Sequence, residues 1–114
     1  MPTRTLGARL ALAVVCATPL LAGCEQPSPE EVLWRKQCAD CHALDGSGNT
    51  ARFMGNHWAN LLDNAWKSSG SDEYSITAEI REGVFGQMPG NSELSDEEVS
   101  QIVGWLFHLR GENR

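Results

Sequence analysis

Residues 38–42 read Cys-Ala-Asp-Cys-His, and no other feature limits so strongly what this 114-residue chain can fold into. Two thiols three positions apart sit about one helical turn from each other, and an imidazole follows at once. Three chemistries use such a group: a redox dithiol, half of a zinc site, or the covalent attachment of c-type haem. A redox dithiol normally belongs to a βαβ unit, and no stretch of this sequence alternates as a strand does. A structural zinc site usually takes a second close pair of Cys/His ligands, for which no cysteine remains once the upstream ones are accounted for. The motif therefore points to one haem c held through Cys38 and Cys41. Two thioethers to the vinyl groups of one porphyrin edge place His42 beneath the iron as an axial ligand.

The upstream cysteines belong to a targeting segment. Residues 1–9 carry Arg4 and Arg9 and no acid, and residues 10–22 are almost wholly apolar. A basic start and about a dozen apolar residues make a secretory signal, too short to span a bilayer. It ends Leu21-Ala22-Gly23-Cys24, which resembles the lipobox of bacterial lipoproteins. That resemblance implies cleavage before Cys24, diacylglycerol on its sulfur, and a lipid-anchored protein in the periplasm or on the extracytoplasmic face of a bacterial membrane. Glu25 stands where some such proteins carry an aspartate that retains them in the inner membrane, a pointer towards the outer one. The chain then divides into a signal peptide over 1–23, a short anchored tether over 24–29, and a domain over 30–114. Cys16 leaves with the signal.

Composition bears on partners. Without residues 1–23, seven Lys/Arg face fifteen Asp/Glu, a net charge of −8. Nucleic-acid binding needs basic clusters, so that class is excluded. The charge favours partners with basic docking patches and association that slows with salt. The 91 residues left after cleavage bury only a modest core, which makes a covalent cofactor a structural staple as well as a reactive group.

The domain reads as all-α, three to four helices around one haem. Ser28-Pro29-Glu30-Glu31 has a capping-box pattern with proline at the first helical position, opening a helix towards Cys38. Trp58, Leu61, Leu62, Ala65 and Trp66 recur at helical steps and predict a short amphipathic helix. Asp72 to Glu82 predicts another, stopped at Gly83. Ser95 and Glu98 form a second capping box, with Leu94 able to staple against Val99. Val99, Ile102, Val103, Leu106 and Phe107 continue that helix to a stop at Gly111.

A second axial ligand is expected at Met88. It lies in Gly86-Gln87-Met88-Pro89-Gly90, 46 residues after His42, framed by residues that present a thioether at a fixed angle instead of filling a helix face. Met54 is less well framed, and His57 and His108 are weaker candidates, His108 because it falls on the surface of the last helix.

Residues 30–111 resemble a class I cytochrome c of the short bacterial, mono-haem type. The resemblance rests on CADCH, the DGSG after it, the IREGVFGQMPG run and LSDEEVSQIVGWL. It implies a His42/Met88 iron and first and last helices that cross through Trp34 and Trp105. Two positions depart from the family pattern. Glu30 stands where a small residue is common, eight before Cys38. No proline occurs in Phe53-Met54-Gly55-Asn56, where a proline carbonyl usually accepts the proximal imidazole N–H, so another carbonyl must orient His42. Trp58, Trp66, Phe85 and Phe107 are candidates for a low-polarity haem pocket. The function implied is single-electron transfer between redox partner proteins, with no small-molecule substrate and no catalytic residues. The alternatives are a haem subunit of one larger oxidoreductase and an open-site haem peroxidase or gas sensor.

Overall fold

The computed structural model describes residues 23–63 and 70–113. Residues 1–22, all but the last residue of the signal expected over 1–23, lie outside the described part, as do residues 64–69 and 114. Among the described residues no helix is long and apolar enough to cross a membrane.

Helix α1 spans Pro29–Gln37, and its start is local chemistry. Ser28 Oγ accepts from the Glu31 N–H at 3.2 Å, and Pro29 fills the first helical position, where no N–H is needed. Only this half of the expected box forms. The Glu31 carboxylate turns to Arg35 one turn on, accepting from Nε at 3.0 Å. A single turn, α2 over Ala39–His42, follows at a kink on Cys38. Helix α3 spans Glu73–Glu82, with the Asp72 side chain accepting from the Ser75 N–H at its start. Helix α4 spans Asp96–Leu109, and its capping box is complete, with Ser95 and Glu98 each accepting from the other's backbone N–H.

Helix α4 is the spine of the core. Its buried face is Val99, Ile102, Val103 and Leu106, the i, i+3, i+4, i+7 stripe of an amphipathic helix. Leu94 joins Val99 in the same cluster, as the staple predicts, and Ile76 of α3 and Trp34 of α1 complete it. Each such side chain contributes about 1.5–3 kcal/mol by leaving water. Both α1 and α3 pack on α4. Trp34 is 1% exposed, whereas Trp105 only flanks the cluster. The ring of Trp34 pairs with His42 at 6.4 Å between centroids, and that of Trp105 with His108 at 4.8 Å.

The all-α architecture carries one short addition, a two-residue ladder, β1 over Gly83–Val84 and β2 over Met88–Pro89, antiparallel with Val84 opposite Met88. One expectation is corrected. The helix expected from Trp58 does not form over 58–63, which turns repeatedly instead. Asn56 and Asn60 side chains take the N–H groups of Trp58 and Leu62, a local alternative to helix. Ala65 and Trp66 fall outside the described residues.

This turning segment is held by the rest of the molecule. Leu61 N–H donates to the Gly46 carbonyl at 2.8 Å. Arg110, its side chain only 5% exposed, donates from Nη1 to the carbonyls of Leu61 at 2.6 Å and Asp63 at 3.2 Å while pairing with Glu112 at 2.7 Å. At Gly48 the chain runs so close that a Cβ would lie 2.5 Å from the Ala59 carbonyl carbon, with φ at +71°. Gly48→Ala should therefore lower unfolding stability by about 3 kcal/mol, through both strain and displaced backbone. Arg110→Met leaves two carbonyls without their donor and should cost about 2 kcal/mol. Chemical denaturation of the holoprotein measures both.

Candidate functional site

The candidate site residues come from two parts of this framework, α2 and the β1–β2 hairpin. Cys38 caps α2 and Cys41 and His42 lie on its single turn. Both thiols are free and half-buried. Burial, and secondarily the neighbouring Cys41, pushes the Cys38 thiol up to about 12, so it is a neutral thiol in the protein.

The chain leaves α2 through Ala43, which adopts φ +64° and ψ 166°, a region where residues other than glycine are strained. The Trp34 indole donates to the Ala43 carbonyl at 3.0 Å, locking that turn to α1. From there Gly48 N–H returns to the carbonyl of His42 at 2.8 Å. The Asp45-Gly46-Ser47-Gly48 loop thus closes on His42 from below.

His42 Nδ1 lies 2.8 Å from the Ala59 carbonyl oxygen. A carbonyl can only accept, so this contact puts the proton on Nδ1 and leaves Nε2 with its lone pair. Burial favours the neutral imidazole, against the opposing pull of the Ala59 carbonyl, while that same carbonyl selects the tautomer with the proton on Nδ1. That is the state in which histidine binds a metal. Ala59, 17 residues away, supplies the carbonyl that the missing proline would have provided, and it is 5% exposed.

Met88 arrives from the other side of the chain. Gly83 and Gly90 let the end of α3 and the returning strand touch backbone to backbone, a Cβ on Gly83 falling 2.5 Å from the Met88 carbonyl oxygen. Asn91 N–H donates to the Ile80 carbonyl at 2.8 Å, and Arg81 ties α3 to the start of α4 through the Leu94 carbonyl and Asp96. These contacts hold the backbone on both sides of Met88.

A cavity of about 350 Å³ brings these residues together. Its lining includes Cys41, His42 and Met88, with apolar walls from Phe53, Trp58, Leu61 and Val84. The volume is in the range of small-molecule sites. A thiol, a tautomerically fixed imidazole and a thioether in an apolar cleft suit a covalently attached haem. The other candidate ligands are elsewhere: Met54 is 71% exposed, and His57 and His108 are exposed on the surface. Of the aromatics expected in the pocket, Trp58 lines it, Phe107 packs against the helical core and Phe85 is fully exposed. Trp66 lies outside the described residues. Phe53, overlooked in the sequence, takes a wall, and its place in an irregular turn left no periodic signal to find it by.

The chain matches known proteins along most of its length. Residues 25–106 match the family described as cytochrome c oxidase, cbb3-type, subunit III. Among solved structures, the c-type cytochrome KustC0563 is similar with a TM-score of 0.53 and 25% identity, over 75% of this chain and 98% of that one. Cytochrome c6 from the diatom Phaeodactylum tricornutum is similar with a TM-score of 0.56 and 25% identity, over 72% of this chain and 91% of that one. The shared fold is that of electron-transferring c-type haem proteins, whose haem is covalently bound and whose partners are redox proteins. By its match across residues 25–106, this chain belongs to the family of cytochrome c oxidase, cbb3-type, subunit III.

Proposed function

We propose that the chain is a lipid-anchored, mono-haem electron carrier whose iron is held by His42 and Met88. The observation that carries this reading is one cavity lined by Cys41, His42 and Met88 together. Bound haem c supplies a one-electron Fe(III)/Fe(II) couple. Cys38 and Cys41 would hold it through two thioethers. His42, fixed by Ala59, offers Nε2 to the iron, and Met88 offers its thioether from a strand that the α3–α4 ties restrain. Thioether ligation and the apolar walls favour the ferrous state and raise the potential. With His42 and Met88 both committed to the iron, the chain would leave no position for oxygen or peroxide. A peroxidase would want a general acid–base pair at the open face. Among the described lining residues Glu79 is the one acid, and no arginine joins it.

The anchor belongs to the same reading. Cys24 is exposed on a segment without regular structure over 23–28, directly before α1. Acyl chains there would tether the domain while leaving α1 to start at Pro29. The extracytoplasmic face of a bacterial membrane is the location this implies, with redox proteins of the same compartment as donors and acceptors. A second reading, a fixed haem subunit of one larger oxidoreductase, is favoured by the name of the matched family.

Optical spectra of the holoprotein test the ligand set. A weak thioether-to-iron charge-transfer band should mark the ferric form, CO should fail to bind the ferrous form, and Met88→Ala should abolish the first and permit the second. The midpoint potential of that variant should fall by on the order of a hundred millivolts. CO binding to the wild type would overturn the closed-iron reading. For the anchor, Cys24→Ser should move the protein from the membrane fraction to the soluble one. Mild detergent extraction of the wild type should yield a monomer for a free carrier, and a large complex for a fixed subunit.

A further inference from the structure

Outside the cavity, the exposed aromatics are not scattered. Tyr74 is 83% exposed in the first turn of α3, and Phe85, at the tip of the β1–β2 hairpin, is fully exposed at 103%. Both line one groove of about 420 Å³, with Ala78 and Val84 as its apolar floor and Glu79 and Glu82 as its rim. Val84 and Glu79 also line the cavity that holds His42 and Met88, so groove and cavity share a wall. Single exposed apolar side chains are ordinary, but two large aromatics facing one groove mark an interaction surface.

Its charge says what kind of partner fits. Between residues 72 and 85 stand Asp72, Glu73, Glu79 and Glu82 against the single cation Arg81. That arginine is committed to the start of α4, pairing with Asp96 at 2.5 Å and with the Leu94 carbonyl. A cleft of one sign focuses its field on an approaching opposite charge. A second copy of this chain would set carboxylates against carboxylates, and an anionic lipid surface would be repelled in the same way.

We infer that the Tyr74–Phe85 groove is the docking face for a basic redox protein, one bringing an apolar centre ringed by Lys or Arg. The inference rests on the electron-transfer reading and adds the place and chemistry of the partner. Aromatic contact would give the complex its register, the acidic rim its speed, and the shared wall a short path to the cavity.

The test is oxidation of the ferrous holoprotein by tris(1,10-phenanthroline)cobalt(III), a cationic aromatic oxidant, beside hexacyanoferrate(III), an anionic one. One electron passes from the ferrous haem to each oxidant and no proton moves. Phe85→Ser, Tyr74→Ser and Glu82→Gln should each slow the cobalt reaction by about threefold or more at low salt. The Glu82→Gln effect should vanish at high salt, and hexacyanoferrate oxidation should not slow. Short polylysine should inhibit the wild type and the two aromatic variants, and Glu82→Gln less. Val32→Ser and Glu97→Gln, exposed on α1 and α4, are controls and should leave the rates within about twofold. Equal losses in controls and groove variants overturn the proposal, as does a dimer of the holoprotein that Phe85→Ser splits into monomers. A wild type with no reducible haem overturns the electron-transfer reading itself, whereas a reducible haem indifferent to the groove overturns the docking face alone.

Discussion

The hydrogen bond from His42 Nδ1 to the Ala59 carbonyl, 2.8 Å long, is the interaction on which the site depends. It couples a short helical turn to a segment that has no helix or strand to hold it. That segment stays in place because three remote groups grip it. The Gly46 carbonyl takes the Leu61 N–H, Gly48 allows the backbones to close up, and Arg110 reaches from the end of α4 to the carbonyls of Leu61 and Asp63. The tautomer of one imidazole is thus set by contacts that reach from His42 to Arg110. A metal-binding histidine needs such support, because a ring free to rotate loses both the orientation and the basicity of its ligating nitrogen.

Met88 depends on a separate clasp. The short ladder and the close approach of Gly83 to the Met88 backbone bring the end of α3 onto the returning strand, and Arg81 and Asn91 fasten both to the base of α4. Helix α4 therefore serves both halves of the site, carrying Arg110 at one end and receiving Arg81 at the other. Its buried stripe of Val99, Ile102, Val103 and Leu106 is the common reference for His42 and Met88, which share no element. The arrangement suits a metal that changes oxidation state without changing partners, since little in the protein needs to move.

What could be read from the sequence was local chemistry. Ser28 with Pro29, Asp72 before α3, and the reciprocal Ser95–Glu98 pair each act within one turn, and each does what its residue type dictates. The Cys38-to-His42 spacing and the Gly-Pro frame around Met88 are local in the same sense. What escaped was set by tertiary partners. Any residue type can offer a backbone carbonyl, so nothing marks Ala59 as the acceptor for His42. Arg110 looks like a solvated charge at a helix end, yet its side chain is only 5% exposed. The apolar spacing from Trp58 suggests a helix, but Asn56 and Asn60 capture the N–H groups that a helix would use. A two-residue ladder is too short to alternate. Phe85 reads as a pocket wall and instead stands in solvent, where the groove beside it gives it another use.

On the proposed reading, His42 and Met88 meet one iron in a single cleft. Proton NMR of the ferrous holoprotein is the decisive experiment, because a methyl group held over a porphyrin face is shifted far upfield by the ring current. One methionine methyl should be so shifted, assigned to Met88 by its loss in Met88→Leu, with Met54 at an ordinary position. An upfield methyl belonging to Met54, or no shifted methionine at all in the closed ferrous protein, would contradict it.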